Sequence, residues 1–188
     1  LHHSIADGTS MNVLVEELAQ LYAAHARGET APLPPRRLQY ADYAHWQATR
    51  LEAGEAARQL EYWRHKLGDE HPPLALPSDR PRPKRPSHRG ARLDFSFPPE
   101  LVAQVRAFAR EHEVSVFVVL LAAFKVCLQR YTQESDLRVG VPAANRLRIE
   151  AERLLGSFVN TQVLRTLVRD SASFAELVKR GAKLRSDL

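Results

Sequence analysis

The most informative stretch of the chain is Leu1-His2-His3-Ser4-Ile5-Ala6-Asp7-Gly8-Thr9-Ser10, which places two histidines before an Asp-Gly pair. Asp7 can hold a tight turn through hydrogen bonds to nearby backbone N–H groups, and Gly8 permits a positive φ. The helix predicted to follow begins with N–H groups that have no partner within the helix. This arrangement suits a histidine base beside a site where negative charge develops on oxygen. A purely structural role for the histidine pair stays open on these residues alone.

A metal site is the first alternative, because His and Asp are common metal ligands. Adjacent residues of an extended segment point to opposite faces, so we do not expect His2 and His3 to converge on one ion. Nucleophilic catalysis is also disfavoured. Cys127 lies in an apolar run where core packing is predicted, and no Ser stands in a G-x-S-x-G turn. The sequence therefore predicts a histidine base or positioning group and no metal.

The bulk composition is that of a globular protein. The chain has 188 residues, of which 44% are hydrophobic and 26% charged, enough for one core or for parts of two lobes. The longest apolar run, 116–124, is far shorter than the roughly 18 residues of a membrane helix and predicts a buried helix. A single cysteine is typical of a reducing cytoplasm, where we expect the protein to act. Because the chain lacks an initial Met and starts inside a motif, we expect an internal fragment without a signal peptide.

The net charge of +5 raises the question of an acidic partner. The positive residues concentrate in 80–86 and at Arg146 and Arg148. The first cluster is interleaved with prolines and has no aromatic residues, which favours a solvated, extended linker over a nucleic-acid site. We expect neither a nucleic acid nor a membrane as a partner.

Periodicity predicts helices and strands in alternation, which indicates an α/β or α+β architecture. Ser10 is the predicted N-cap of the first helix and Gly28 its end, and Gly54 is a possible break in the second helix. The other predicted elements are helices over about 40–67, 98–111, 115–131 and 173–185, and strands over 91–97, over 137–141 and within 155–167.

Three motifs in order give the sequence a family resemblance. They are the HHxxxDG stretch at 1–8, a Y-x-D-[FY]-A-x-W pattern at 40–46, and an [IV]-G-x-F-V-N-T pattern within 155–162 that is followed by Arg165. Further family-like phrases are Tyr62-Trp63, 76–83 and 140–146. Together they resemble a condensation domain of a nonribosomal peptide synthetase.

The resemblance implies a chloramphenicol-acetyltransferase-like fold, an α/β (α+β) two-layer sandwich, with parts of two lobes in this chain. Residues 1–70 would end the N-terminal lobe and carry the catalytic loop. Residues 71–89 would be a Pro-rich linker, and residues 90–188 the first part of the C-terminal lobe.

The family motif implies a role for each matching residue. His3 corresponds to the catalytic histidine, whereas His2 and Asp7 would be mainly structural and Gly8 would lie close to the reacting groups. Asp7 is usually paired with an arginine, which we expect from an upstream motif outside this chain. Thr9, which replaces a common Trp, is a candidate for the channel wall or the lobe interface, as are the following residues: Ser10, Trp46 and Asn160. Trp46 is a packing residue in the family.

The implied activity is peptide bond formation between a donor acyl or peptidyl thioester and an acceptor aminoacyl thioester. Both substrates would ride on the phosphopantetheine of peptidyl carrier proteins, and the domain itself would bind no cofactor. A flanking adenylation domain of the same megaenzyme would be a further partner. An epimerization domain and a non-catalytic domain that recruits tailoring enzymes are the alternatives, and we expect the isolated fragment to be inactive.

Overall fold

The structure is a computed structural model that describes residues 1–31, 33–35, 37–70, 72–81, 83–85, 87, 89–146, 148–169 and 172–186. Its helices are α1 (Gly8–Ala26), α2 (Tyr40–Arg50), α3 (Ala56–Leu67), α4 (Pro99–Glu111), α5 (Val116–Thr132) and α6 (Phe174–Ser186). Its strands β1 (Asp136–Ala143) and β2 (Asn160–Leu167) pair in a two-stranded sheet. Helices with a small sheet confirm the predicted α/β class.

The first helix begins earlier than predicted. Asp7, not Ser10, is the N-cap, because its carboxylate accepts the Ser10 N–H and its carbonyl accepts the N–H of Met11. The predicted end is confirmed, since Gly28 follows the helix at a φ of 70°. Because Asp7 caps the helix, the residues before it lie outside α1 and form a separate loop.

The break in the second helical stretch is confirmed at Gly54. This residue has a φ of 105° inside a π-helical turn, Leu51–Glu55, that separates α2 from α3. Such a backbone angle is favourable for glycine and costly for other residues.

The strand predicted over 91–97 is wrong. These residues form neither helix nor strand, and Leu93 and Phe95 are 88% and 74% exposed. Alternating hydrophobicity makes a strand only where a neighbouring strand accepts and donates the backbone hydrogen bonds. Within the described ranges, the only sheet is formed by β1 and β2, and this segment pairs with neither strand.

The chain divides into two compact units. Unit 1 contains Leu1–Glu70 and Gly140–Val163, and unit 2 contains His71–Val139 and Leu164–Leu188. Each unit therefore combines two separate stretches of sequence. The assignment of 1–70, 71–89 and 90–188 to lobes and linker stays a prediction.

The core of unit 2 is built from α4, α5, α6 and the flanks of the sheet. Its buried residues include Val118 and Ala122 of α5, Leu137 of β1 and Val178 of α6. The predicted burial of Cys127 is wrong, because this residue is exposed on the opposite face of α5. Among the described helices, none alone is long and apolar enough to cross a membrane, and α4 with α5 passes that test only as a pair bent by 108°.

A lysine occupies the core face of α5 in unit 2. Lys125 is 2% exposed, and its Nζ donates to the carbonyl of Leu164 at 3.0 Å and to Thr166 Oγ1 at 2.6 Å. Burial disfavours the ammonium form and lowers the pKa of Lys125 to about 8. The lysine therefore ties α5 to β2 at the cost of a buried charge.

We expect Lys125→Met to be more favourable for stability at neutral pH than at high pH, when each variant value is compared with the wild type at the same pH. In the wild-type domain the folded pKa of about 8 lies below the unfolded value of 10.5, so the unfolded chain binds more protons in this range. The free energy of unfolding should therefore rise as the pH increases from about 8 to 10.5, and this rise should vanish in the variant. Urea unfolding of the purified domain across this range measures it. An equal rise of the free energy of unfolding in both proteins would contradict the lowered pKa of Lys125.

Candidate active site

The carboxylate of Asp7 is the centre of a buried polar network in unit 1. Its Oδ1 accepts hydrogen bonds from Ser10 N (2.8 Å), Ser10 Oγ (2.8 Å) and Arg146 Nη2 (2.9 Å), and its Oδ2 accepts one from Phe158 N (3.1 Å). Burial alone would raise the pKa of Asp7, but these hydrogen bonds outweigh it and lower the pKa to about 2. The carboxylate is thus a fixed anion and not a proton donor near neutral pH.

The arginine partner of Asp7 lies inside this chain, so the expectation of a partner from an upstream motif is wrong. The Arg146 side chain is only 5% exposed and that of Asp7 is fully buried. The guanidinium also donates from Nη1 to the carbonyls of Ala151 and Leu154, and its carbon lies 4.0 Å from the centroid of the Phe158 ring. A planar group with several fixed donors suits this task, because it can serve a carboxylate, two carbonyls and an aromatic face together.

The network joins two distant motifs. Asp7 N donates to the carbonyl of Gly156 at 3.2 Å, and the N–H of Gly156 donates to Ser10 Oγ at 3.0 Å. Gly156 and Phe158 belong to the third motif, which lies some 150 residues further along the chain. The end of the His3 loop is therefore held against residues 156–158.

The second motif packs on the same site through aromatic rings. Tyr40 donates its hydroxyl to the Ser157 carbonyl at 2.8 Å, and its ring meets the Phe158 ring edge-on at 5.1 Å. A Cβ on Gly156 would lie 2.1 Å from the Tyr40 ring, so the close approach of this ring requires glycine. Together with Ala151 and Leu154 these aromatic residues form the small core of unit 1.

His3 stands outside this core. It is exposed in a turn in which the Ile5 N–H donates to the His2 carbonyl at 3.1 Å, so the segment is not extended, in contrast to the prediction. In the part of the chain that the structure describes, no hydrogen-bond partner meets the His3 imidazole. The His2 imidazole instead makes local hydrogen bonds, because its Nδ1 accepts the Ser4 N–H at 3.2 Å and lies 2.8 Å from Ser4 Oγ.

The other candidates have different positions. Gly8 is exposed, Thr9 half-buried and Ser10 buried, so this first turn of α1 runs from the surface into the Asp7 network. Asn160 is exposed at the start of β2, where its Oδ1 accepts the Thr161 N–H at 2.9 Å. Among the described residues, no group of three or more His, Cys, Asp or Glu could hold a metal ion.

Trp46 lies beside an open pocket of about 230 Å³ in unit 1. Guanidinium groups of Arg50 and Arg148 lie 5.1 and 4.9 Å from its ring centroid. The Tyr43 ring contacts it at 5.6 Å and continues to Phe158 at 4.6 Å. Trp46 thus extends the aromatic packing outward to the surface.

Comparison with known proteins shows the family to which a chain with this site belongs. The model of the condensation domain family matches residues 1–186. The chain belongs to the condensation domain family. One of the proteins that make up the linear gramicidin synthase of Brevibacillus parabrevis is 46% identical over 178 residues, which are 95% of this chain and 2% of that protein.

Two solved structures extend the likeness to the fold. The first condensation domain of the CDA synthetase is 25% identical with a TM-score of 0.81, over 99% of this chain and 40% of that one. The X-domain from teicoplanin biosynthesis is 28% identical with a TM-score of 0.87, over all of this chain and 43% of that one, and it has also been solved as a complex with OxyB. The condensation domain resemblance and its chloramphenicol-acetyltransferase-like fold are thereby confirmed, and the chain spans less than half of these structures.

Some site residues of this condensation domain were missed by sequence reasoning. The sequence presents Arg146 only as part of a basic cluster and of a family-like phrase, and Phe158 only as a motif letter. The signal that could have found Arg146 is its position in the family-like phrase 140–146, soon after the strand predicted over 137–141. Gly156 is the glycine of the third motif, but the sequence does not reveal why glycine is required there, because the Tyr40 ring comes from a distant helix.

Proposed function

We propose that this condensation domain forms the peptide bond of a nonribosomal peptide synthetase. The observation that carries the proposal is the complete HHxxxDG stretch, in which an accessible His3 is joined to a turn whose end is fixed by the buried Asp7–Arg146 pair. The relation to peptide synthetases such as the gramicidin synthase supports it.

The proposed step joins two tethered substrates. The acceptor α-amine attacks the donor thioester carbonyl, a C–N bond forms, the C–S bond breaks, and the thiol stays on the donor phosphopantetheine. An α-amino group has an ordinary pKa near 8, so roughly a tenth is already neutral at pH 7. His3 accepts a hydrogen bond or the proton from this amine and orients it, and the proton that the nitrogen loses ends on the departing sulfur to give the thiol.

The partners are then carrier proteins that deliver the donor and the acceptor, and an adenylation domain of the same megaenzyme. The phosphopantetheine belongs to the carriers, and this domain holds no cofactor of its own. The net charge of +5 favours an acidic docking partner through electrostatic steering.

The test uses the full-length protein that carries residues 1–188, with donor and acceptor carriers loaded with thioesters. We expect an amide product on the acceptor carrier, read by mass spectrometry, and no product from residues 1–188 alone. Inversion of the donor α-carbon without amide formation would instead assign an epimerization domain.

A domain that recruits another enzyme is the second candidate, favoured by the likeness to the teicoplanin X-domain. Such a domain would bind a tailoring enzyme and form no amide. The loaded-carrier assay separates the two functions, because only the first consumes the donor thioester.

A further inference from the structure

The hydroxyl of Ser10 is a buried group of unit 1 with four polar atoms within hydrogen-bond distance. The residue is 1% exposed. Its Oγ lies 2.8 Å from Asp7 Oδ1, 2.8 Å from the Gly156 carbonyl, 3.0 Å from Gly156 N and 2.9 Å from Arg146 Nη2. A side chain that lined a substrate channel would keep an edge free for a ligand, and this one does not.

The hydrogen bonds of this hydroxyl can be counted. A serine hydroxyl has one proton to donate and two lone pairs to accept. The N–H of Gly156 and the Nη2 of Arg146 occupy the lone pairs, and the proton goes to Asp7 Oδ1 or to the Gly156 carbonyl. The full capacity of the group is used inside the protein.

We propose that Ser10 is a positioning residue that fixes residues 156–158 against the loop that carries His3. The hydroxyl accepts the N–H of Gly156 and lies 2.8 Å from the carbonyl oxygen of the same residue. Asp7 then holds the same segment through its own N–H to the Gly156 carbonyl and through Oδ2 to the N–H of Phe158. The effect of Ser10 on catalysis rests on the proposed function, whereas its effect on the position of residues 156–158 does not.

The proposal departs from the expectation that Ser10 lines the channel or the lobe interface. Without the hydroxyl, the buried N–H of Gly156 loses its acceptor and Arg146 loses one of its bonds. The segment 156–158 would then shift to find other partners. A displacement of about 1 Å in a site that aligns two reactants can reduce a rate by about 10²-fold.

The kinetic test compares variants of the full-length protein in the loaded-carrier assay. We expect Ser10→Ala and Ser10→Cys to lower kcat by about 10–100-fold with little change in the KM for the acceptor carrier. Cysteine fills the volume but bonds weakly, so it separates hydrogen bonding from packing. Ser10→Thr keeps the hydroxyl and should recover part of the rate.

The matched control is Val118→Ala in the core of unit 2, which destabilises the protein without changing a residue of the Asp7 network. We expect it to retain the wild-type kcat. If Ser10→Ala has the same kcat as this control, Ser10 has only a structural role and the proposal is overturned.

Hydrogen exchange provides a readout that does not depend on activity. The amides of Gly156 and Phe158 should lose protection in Ser10→Ala and keep it in Val118→Ala. Unchanged protection at Gly156 would overturn the positioning role even in an active enzyme. A wild-type protein that forms no amide would overturn only the proposed function, since the exchange result still decides the role of Ser10.

Discussion

Replacing His3 with Ala in the full-length protein should slow amide formation by about 10²–10⁴-fold, the usual contribution of general acid–base help. The stability of the domain should stay near normal, because the His3 side chain is exposed and makes no hydrogen bond within the described residues. Single-turnover rates with loaded carriers measure the effect. Carrier binding should also be retained, since the substitution removes no charge pair.

The matched control for this variant is His25→Ala. His25 is an exposed histidine in the last turn of α1, the helix that follows the His3 loop. Its replacement should leave the rate unchanged. A His3→Ala rate within threefold of the control would refute the assignment of His3 as the base or orienting group.

The residual rate of His3→Ala reports how much the tethering of the two substrates contributes to amide formation. Two substrates held on tethered arms can react with an effective molarity of roughly 10⁵ M or more, which needs no base. A variant that still forms amide faster than the carriers do without the domain would show this contribution directly. The histidine and the tether can thus be separated in one experiment.

The local elements were predictable because each depends on nearby residues. Gly28 and Gly54 end or break helices through their own backbone angles, and Pro99 begins α4 because its fixed φ suits a first helical turn. These properties need no distant partner. The turn expected at the Asp-Gly pair is different, because the turn lies at residues 3–5 and Gly8 is already the first residue of α1, without a positive φ.

The predictions that were wrong concern residues whose structure or burial depends on residues distant in the sequence. The period-2 pattern at 91–97 gave no indication that a neighbouring strand would be lacking. Cys127 and Lys125 lie two residues apart on α5, and the sequence suggests the cysteine as the buried one. The structure has the reverse, because the carbonyl of Leu164 and the hydroxyl of Thr166 meet the ammonium of Lys125.

The pairing of Asp7 with Arg146 shows the same limit inside the site. The carboxylate and its arginine are 139 residues apart, and only the fold brings them within 2.9 Å. The family resemblance implied an arginine partner, but it pointed to an upstream motif outside this chain and not to Arg146. Once unit 1 forms, Arg146 connects the first motif to Ala151, Leu154 and Phe158.

The buried pair leads to the second large prediction. Arg146→Met or Asp7→Asn should each destabilise the domain by about 3–5 kcal/mol, because each leaves a buried charge without its partner. Arg146→Lys should rescue little, since an ammonium cannot serve a carboxylate, two carbonyls and the Phe158 ring together. Denaturant unfolding of the purified domain measures these changes.

The double variant tests the cause. With both charges removed, the penalty for an unpaired ion disappears, so Asp7→Asn with Arg146→Met should cost clearly less than the sum of the two single changes. Strict additivity would mean that the two side chains act independently, in conflict with their 2.9 Å contact.

The pH dependence follows from the same pair. The folded pKa of Asp7, about 2, lies below its ordinary value of 3.8, so its stabilising contribution is complete above about 3.8 and is lost as the pH falls through about 2. Asp7→Asn removes the titrating group, so its stability should fall less steeply than that of the wild type over this interval. Because Asp7 Oδ2 accepts the N–H of Phe158, the same acid transition should release residues 156–158, which hydrogen exchange at Phe158 would detect.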